Sequence, residues 1–193
     1  MNILIAGVGG QGTVLASRIL STVGILQDLP VRTMETFGMA QRGGCVVGHI
    51  RIGQGRMAAY IPKGQADLLL GFELGEAARN LAWLAAEGRL LVNEQTILPV
   101  SVGMGKQEYP RLAIREALQQ RKALFIDALA LSQKAGSSKA VNIVLLGAAM
   151  GSGALPFTED AMQEALQLCV PAKFLELNRQ AYALGKMAAK GGK

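Results

Sequence analysis

The sequence predicts a three-layer α/β/α sandwich with a mixed, mostly parallel sheet and a helical C-terminal part. Apolar runs of strand length alternate with segments of helical periodicity, and the first run ends in a glycine turn that opens a helix. The chain has 193 residues, which matches the usual size of one domain. We therefore expect a single domain over residues 1–193.

The first half of the chain contains most of the predicted strands. Residues 2–6 form a short apolar run that leads into glycine, and residues 13–25 repeat apolar side chains at helical spacing. A β-hairpin is predicted over residues 45–61, because an alternating strand at 45–52 is followed by Gly53-Gln54-Gly55 and a returning segment at 56–61. The hairpin makes the sheet mixed. The other predicted strands are 31–37, 67–71, 89–93 and 123–127.

Helices dominate the second half. A helix is predicted near residues 73–86, and Pro110 suits the first position of another at 111–121. Thr158 is a predicted helix cap. Residues 143–150 are apolar on all sides and should be buried, whereas residues 94–122 carry no motif with a recognisable role. The apolar stripe predicted for the last helix consists of Phe174, Leu177, Ala181, Leu184 and Ala188.

Composition limits the function. Hydrophobic residues make up 50% of the chain and charged residues 18%, against about a quarter in typical proteins. This predicts a subunit with a buried partner face. The net charge of +6 includes lysines close to the C-terminus, and aromatic residues are only 5%, so bases would find few stacking partners. We expect no nucleic-acid binding.

Cysteine and histidine are too few for a redox metal centre. Two cysteines, Cys45 and Cys169, and one histidine, His49, cannot supply the four ligands of an iron–sulfur cluster. The cysteines are expected to be buried, free thiols in a reducing compartment. The start lacks a signal-peptide core, and the longest apolar run is shorter than the roughly 18–20 residues that span a bilayer. These features predict a cytoplasmic protein without membrane association.

The glycine turn is a candidate binding site. Gly7, Gly9 and Gly12 match G-x-G-x-x-G between a strand and a helix, as in Rossmann-like dinucleotide sites. The helix N-terminus would favour a phosphate group, and Glu35 lies roughly where a ribose-binding acid would sit. Alternatively, the glycines bind no ligand and only allow the helix to pack closely on the strand. The candidate residues are Gly7, Gly9, Gly10, Gln11, Gly12 and Thr13.

A second glycine-rich loop carries a family resemblance. Residues 38–44, Gly-Met-Ala-Gln-Arg-Gly-Gly, resemble the G-M-A-Q-R-G-G signature of the gamma subunit of 2-oxoacid:ferredoxin oxidoreductases, a family that includes pyruvate and indolepyruvate enzymes. The turn at 7–12 and the segments 49–52, 142–147 and 178–185 are also similar to that family. Within it, the chain resembles the beta subunit of the indolepyruvate-type enzymes. The resemblance covers nearly the whole chain.

The resemblance implies the function of an accessory subunit. Its family oxidatively decarboxylates a 2-oxoacid to an acyl-CoA and passes the electrons to ferredoxin, using thiamine diphosphate, magnesium, iron–sulfur clusters and coenzyme A. This sequence has neither the Gly-Asp-Gly thiamine diphosphate motif nor a C-x-x-C motif. We therefore expect no catalytic residue and no cofactor bound by this chain alone. The expected partners are the catalytic subunits, ferredoxin through the complex, and a second copy of the chain when it is isolated.

The two glycine-rich segments are expected to lie side by side at the carboxyl ends of the first strands. There, Arg42 offers a planar fork for a phosphate or carboxylate, and it can equally form a salt bridge to the partner subunit. The candidate residues of this loop are Met39, Gln41, Arg42, Gly43 and Gly44. Two other hypotheses remain open: a stand-alone NAD- or FAD-binding protein, and a non-enzymatic binding or scaffold module.

Overall fold

The computed structural model describes residues 1–37, 44–53, 58–98, 100–105 and 108–190. The strands in these residues are β1 (Asn2–Val8), β2 (Val31–Phe37), β3 (Cys45–Ile52), β4 (Ala66–Gly71), β5 (Leu84–Asn93) and β6 (Leu124–Ile126). They form one sheet in the order β2-β3-β1-β4-β5-β6. The β1–β4, β4–β5 and β5–β6 pairs are parallel, whereas β3 is antiparallel to both of its neighbours. The predicted mixed, mostly parallel sheet is confirmed.

The predicted hairpin over residues 45–61 is wrong, because β3 does not pair with the segment that follows it. β3 pairs with the preceding strand β2 and with β1, and residues 58–61 are not a strand, while residues 54–57 lie outside the described part of the chain. Side chains of β3 satisfy the backbone there: Arg51 donates to the carbonyls of Ala58 and Tyr60, at 2.9 and 3.3 Å. The N–H of Ile61 donates to Nδ1 of His49 at 3.3 Å. The segment is therefore held against β3 without forming a strand beside it.

The helices follow the predicted order with shifted boundaries. They are α1 (Thr13–Leu26), α2 (Leu74–Arg79), α3 (Val100–Gly103), α4 (Arg111–Gln120), α5 (Ala128–Lys134), α6 (Val141–Gly151), α7 (Glu159–Cys169) and α8 (Ala172–Lys190). The helix predicted near 73–86 is shorter than expected, because β5 begins at Leu84 and a 3-10 turn at Leu81–Trp83 precedes it. The Thr158 side chain caps α7 as predicted, accepting from the N–H of Ala161.

Two apolar clusters place helices on both faces of the sheet. Alternate residues of β1 point to opposite faces, so Ile3 and Ile5 join the cluster under α1 and α5–α8. Leu4 and Ala6 join the smaller cluster under α2 and α4. The three-layer arrangement is therefore confirmed, with the larger core on the face that carries the C-terminal helices.

The buried stripe of the C-terminal helix overlaps only in part with the predicted one: Ala181 is buried, whereas Ala188 is exposed. Its buried residues are Ala181, Tyr182, Gly185 and Ala189, whereas Phe174 is 48% exposed. The cause is α6, which is buried on nearly all sides as predicted and lies very close to α8. Glycine makes the closest contact there, so the buried face is rotated from the predicted one, although Leu177 and Leu184 still pack against the core.

Candidate functional site at the carboxyl edge of the sheet

The carboxyl ends of β1 and β4 form the switch point of the sheet. These strands are parallel neighbours, but α1 leaves β1 towards one face and α2 leaves β4 towards the other. Open α/β sheets bind ligands in the crevice at such a point. The walls of the crevice are the turn at 8–12 and the connection at 72–73.

The side chain of Gln11 ties the two walls together. Its Oε1 accepts from the N–H of Val8, and its Nε2 donates to the carbonyl of Phe72, both at 2.8 Å. Nδ2 of Asn93 donates to the same carbonyl at 3.0 Å. Gln11 is therefore a structural bridge across the crevice, besides being a candidate ligand contact.

Part of the turn's hydrogen-bonding capacity is used within the protein. The N–H of Gly9 donates to the carbonyl of Gly44 at 2.9 Å, and the N–H of Gln11 donates to the carbonyl of Val8 at 3.2 Å. The first turn of α1 contains no acidic residue, and in the described part of the chain no side chain caps it. No acidic side chain of that turn therefore offsets the partial positive charge of this helix end.

Gly12 marks where the third glycine is required. Its φ of +77° is a left-handed conformation that favours glycine, and a Cβ there would lie 2.6 Å from Nδ2 of Asn142. That amide, on a buried residue of α6, donates to the carbonyl of Gly12 at 3.2 Å. Thr13, the first residue of α1, is also buried. The turn is thus held by Asn142 of α6 and by the buried start of α1.

Of the second glycine-rich loop, residues 38–44, the structure describes only Gly44. Gly44 contacts Gly9 as stated above, so the residue before β3 lies beside the glycine turn. Met39, Gln41, Arg42 and Gly43 lie outside the described residues, and their roles remain predictions.

Sequence reasoning missed a group of polar residues beside α2. Cys45, expected to be buried, is exposed at the start of β3, while Cys169 is buried and both thiols are free. Although the residue as a whole is exposed, partial burial of its sulfur and the neighbouring Glu76 carboxylate raise the pKa of the Cys45 thiol to about 12. Glu76 is buried and pairs with Arg79, and among the described residues its Oε2 has no hydrogen-bond partner.

Glu73, just before α2, is a second buried carboxylate that the sequence did not reveal. It accepts from the N–H of Glu76 at 2.9 Å, the N–H of Ile97 at 3.3 Å and the hydroxyl of Tyr109 at 2.6 Å. Burial and Glu73 raise the pKa of Tyr109. The spacing Glu73-x-x-Glu76 resembles a capping box and could have signalled this helix start. Glu73 thereby holds Ile97 and Tyr109 against the start of α2.

The structure does not support the dinucleotide interpretation. β3 lies between β1 and β2, so Glu35 on β2 is two strands, about 10 Å, from β1. A ribose held at the glycine turn would not reach it directly. His49 is buried in the middle of β3, with its ring 4.7 Å from that of Tyr60, and burial lowers its pKa. It packs within the core and is remote from the crevice.

Among the described residues, no group of three histidine, cysteine, aspartate or glutamate side chains could hold a metal ion. No helix in that part of the chain is both long and apolar enough to cross a membrane.

Comparison with known proteins identifies the family. The family model for pyruvate ferredoxin/flavodoxin oxidoreductase matches residues 2–188. The chain belongs to this family. It is 36% identical over 98% of its length to a Thermococcus kodakarensis protein, and 37% identical over 98% to one from Pyrococcus horikoshii; both are named indolepyruvate oxidoreductase subunit IorB. The match covers 96% of each relative.

Solved structures share the fold. A keto/oxoacid ferredoxin oxidoreductase gamma subunit from Geobacter sulfurreducens matches 99% of both chains with a TM-score of 0.71 and 23% identity. A Magnetococcus marinus 2-oxoglutarate:ferredoxin oxidoreductase matches all of this chain, but only 31% of its own, with a TM-score of 0.75 and 18% identity. The predicted family resemblance is confirmed. The chain is a small subunit of this family, and its fold is that of the Geobacter gamma subunit.

Proposed function

We propose that this chain is the accessory subunit of an indolepyruvate-type complex. The complex would decarboxylate an aryl 2-oxoacid, transfer the acyl group to coenzyme A and pass the electrons to ferredoxin. The observation that carries the proposal is similarity along 98% of the chain to relatives named as indolepyruvate oxidoreductase subunits.

The cofactor chemistry is assigned to partner subunits. Thiamine diphosphate with magnesium and iron–sulfur clusters supply carbanion stabilisation and electron transfer. This sequence has two cysteines where a cluster usually takes four. The chain's own contribution is therefore binding and positioning within a hetero-oligomer, which we place in the cytoplasm. Its low charged fraction of 18% supports a large covered face.

At the carboxyl edge, we assign the glycine turn and α1 to binding an anionic group at the active-site side of the complex. The acid-free first turn of α1 favours a phosphate, and a Cβ on Gly10 would meet nothing within 4 Å, which leaves room beside the turn. Coenzyme A carries a diphosphate, and the similar Magnetococcus enzyme was determined with coenzyme A bound. A carboxylate of the partner subunit is the second candidate, and Arg42 would assist either ligand.

Co-purification tests the proposed function. Tagged chain expressed in its native host should recover a larger protein that contains thiamine diphosphate and iron–sulfur clusters. The recovered complex should reduce ferredoxin with indolepyruvate and coenzyme A, whereas the isolated chain should be colourless and inactive. Recovery of the chain alone, with activity or a bound chromophore of its own, would refute the proposal.

The variant Val14→Glu tests the anion site. Val14 lies in the first turn of α1 and is 48% exposed, so a carboxylate there should stabilise the helix by about 0.3–1 kcal/mol. The same charge should repel a diphosphate, so we expect about tenfold or more weaker coenzyme A binding by the complex, measured by isothermal titration calorimetry.

Val14→Gln is the matched control, because it changes size and polarity without adding charge. It should retain coenzyme A affinity. If Val14→Glu leaves affinity unchanged but weakens subunit association, then the helix end binds the partner subunit. If both properties are unchanged, the anion-site assignment is wrong while the accessory-subunit assignment stands.

A further inference from the structure

A strip of basic and aromatic side chains lies at the amino edge of the sheet, where β1 begins and β3 ends, opposite the glycine turn. Arg32 lies near the start of β2, Arg51 near the end of β3, and Trp83 directly before β5. Tyr60 and Lys63 belong to the segment between β3 and β4. We call these five residues the basic–aromatic strip, and none of them belongs to the site described above.

Direct contacts make the strip continuous from β3 to the start of β5. Nη1 of Arg51 donates to the carbonyl of Tyr60 at 3.3 Å, and Nε1 of Trp83 donates to the Tyr60 hydroxyl at 3.2 Å. Nζ of Lys63 lies 5.3 Å from the centre of the Trp83 ring, within range of a cation–π contact. At about 4.8 Å between neighbouring strands, the distance from β2 to β5 across the sheet is about 19 Å. The strip is therefore long enough to form the centre of a protein interface.

The charges of the strip favour an acidic partner. Arg32 and Arg51 are directly opposite each other on neighbouring strands, a position in which like charges repel. Arg32 is exposed and donates to the carbonyl of its own neighbour, Val31, at 3.0 Å. Glu35 lies on the other face of β2, because it is three residues from Arg32. A carboxylate from outside the chain would therefore relieve the repulsion between the two arginines.

The acidic groups beside the strip do not neutralise it. Asp67 supplies one carboxylate at this edge, and its Oδ2 accepts from the N–H of Asn2 at 2.6 Å. The C-terminal end of α2 adds about half a negative charge. The three cations of the strip exceed these two contributions together, so a positive charge of more than one unit remains on this face.

Tyr60 and Trp83 provide apolar contact area within the strip. Tyr60 is 42% exposed, and Trp83 packs with part of its ring against the smaller apolar cluster. Tryptophan, tyrosine and arginine are the residues that most often dominate the binding energy of a protein interface. The polar tips of the two rings bond to each other, so neither tip is free to anchor in a lipid headgroup layer. This arrangement favours a protein surface over a membrane as the occupant.

We propose that the basic–aromatic strip docks an acidic surface of the partner subunit. Carboxylates of the partner pair with Arg32 and Lys63, and an apolar group of the partner packs on the rings of Tyr60 and Trp83. The inference rests on the proposed function, because it requires a partner chain. It adds a contact at the amino edge of the sheet to the one assigned to the carboxyl edge.

Charge reversal tests the acidic character of the docked surface. Lys63→Glu should weaken association with the partner subunit by about tenfold or more at low salt, with a smaller effect at high salt. Lys173→Glu is the matched control, because Lys173 is also exposed and lies 4.8 Å from the centre of an aromatic ring, that of Phe174, but belongs to α8 on the other face of the sheet. It should leave association unchanged. Equal effects of the two variants would show that only net charge matters and would overturn the proposal.

Trp83 is the single tryptophan of the chain, so it reports directly on the contact. Chain labelled with fluorotryptophan should give one fluorine NMR resonance, and its chemical shift should change when unlabelled partner subunit binds. If the complex forms while this shift stays the same and Lys63→Glu binds as tightly as Lys173→Glu, the inference is wrong. A change with phosphatidylglycerol vesicles but none with the partner would assign the strip to a membrane surface and would also overturn it. Failure to form any complex would instead refute the proposed function.

Discussion

Gly185→Ala should lower the free energy of unfolding by about 3 kcal/mol or more. A Cβ on Gly185 would lie 2.0 Å from the carbonyl oxygen of Val144 on α6. The contact is reciprocal, because a Cβ on Gly147 would lie 2.1 Å from the carbonyl oxygen of Tyr182 on α8. Backbone atoms of a buried helix pair cannot move aside as a flexible side chain can, so the two helices must separate.

Gly103→Ala is the control for this prediction. A Cβ there would meet nothing within 4 Å, and the residue lies in the short helix α3. The substitution should be neutral or stabilising by about 0.4–1 kcal/mol, because alanine loses less backbone entropy on folding. Urea unfolding followed by circular dichroism measures both variants. A loss below about 1 kcal/mol for Gly185→Ala would show that the two helices do not approach this closely.

Glu73→Ala should also destabilise the protein by about 3 kcal/mol or more. Its removal leaves the N–H groups of Glu76 and Ile97 and the hydroxyl of Tyr109 without their acceptor. Each buried donor left unpaired costs about 1–3 kcal/mol. Glu73→Gln should lose less, because one amide oxygen can still accept. The chain around Ile97 and Tyr109 should become more susceptible to proteolysis in Glu73→Ala.

A double-mutant cycle with Tyr109→Phe isolates the strongest of these contacts. The coupling between Glu73 and Tyr109 should be about 1.5–3 kcal/mol, as for hydrogen bonds to charged groups. Glu116→Ala, on the exposed face of α4, should change stability by no more than about 0.5 kcal/mol. Coupling indistinguishable from zero would mean that the Tyr109 hydroxyl does not depend on Glu73.

Local patterns predicted most of the elements near the candidate site. β2 and β3 begin and end at the predicted residues, and α1 differs by one residue at its end, because apolar alternation and glycine punctuation are contained within each segment. The pairing of β3 could not be predicted in the same way. Both edges of β3 are occupied, by β1 and by β2, and the contact with β1 joins segments far apart in sequence.

The candidate site also combines features that follow from local patterns with contacts between separate segments. The glycine turn was identified from G-x-G-x-x-G, whose strand and helix are adjacent in the chain. The bridge from Gln11 to Phe72 and the contact between Asn142 and Gly12 join residues far apart in sequence, so no local pattern indicates them. Glu73 and Glu76 were missed for a related reason: an acidic residue at a helix start is usually exposed, and the contacts of Glu73 with Ile97 and Tyr109 join segments separate in sequence.

Local sequence patterns were enough to predict the α/β class, the family and the positions of β1, its glycine turn and α1. Each of these depends on the order of residues within a short segment. Contacts between distant segments set which strands pair and which residues of α8 are buried. Those features arise from how closely distant backbones approach, as at Gly147 and Gly185, and that distance is set by the packing of the whole core.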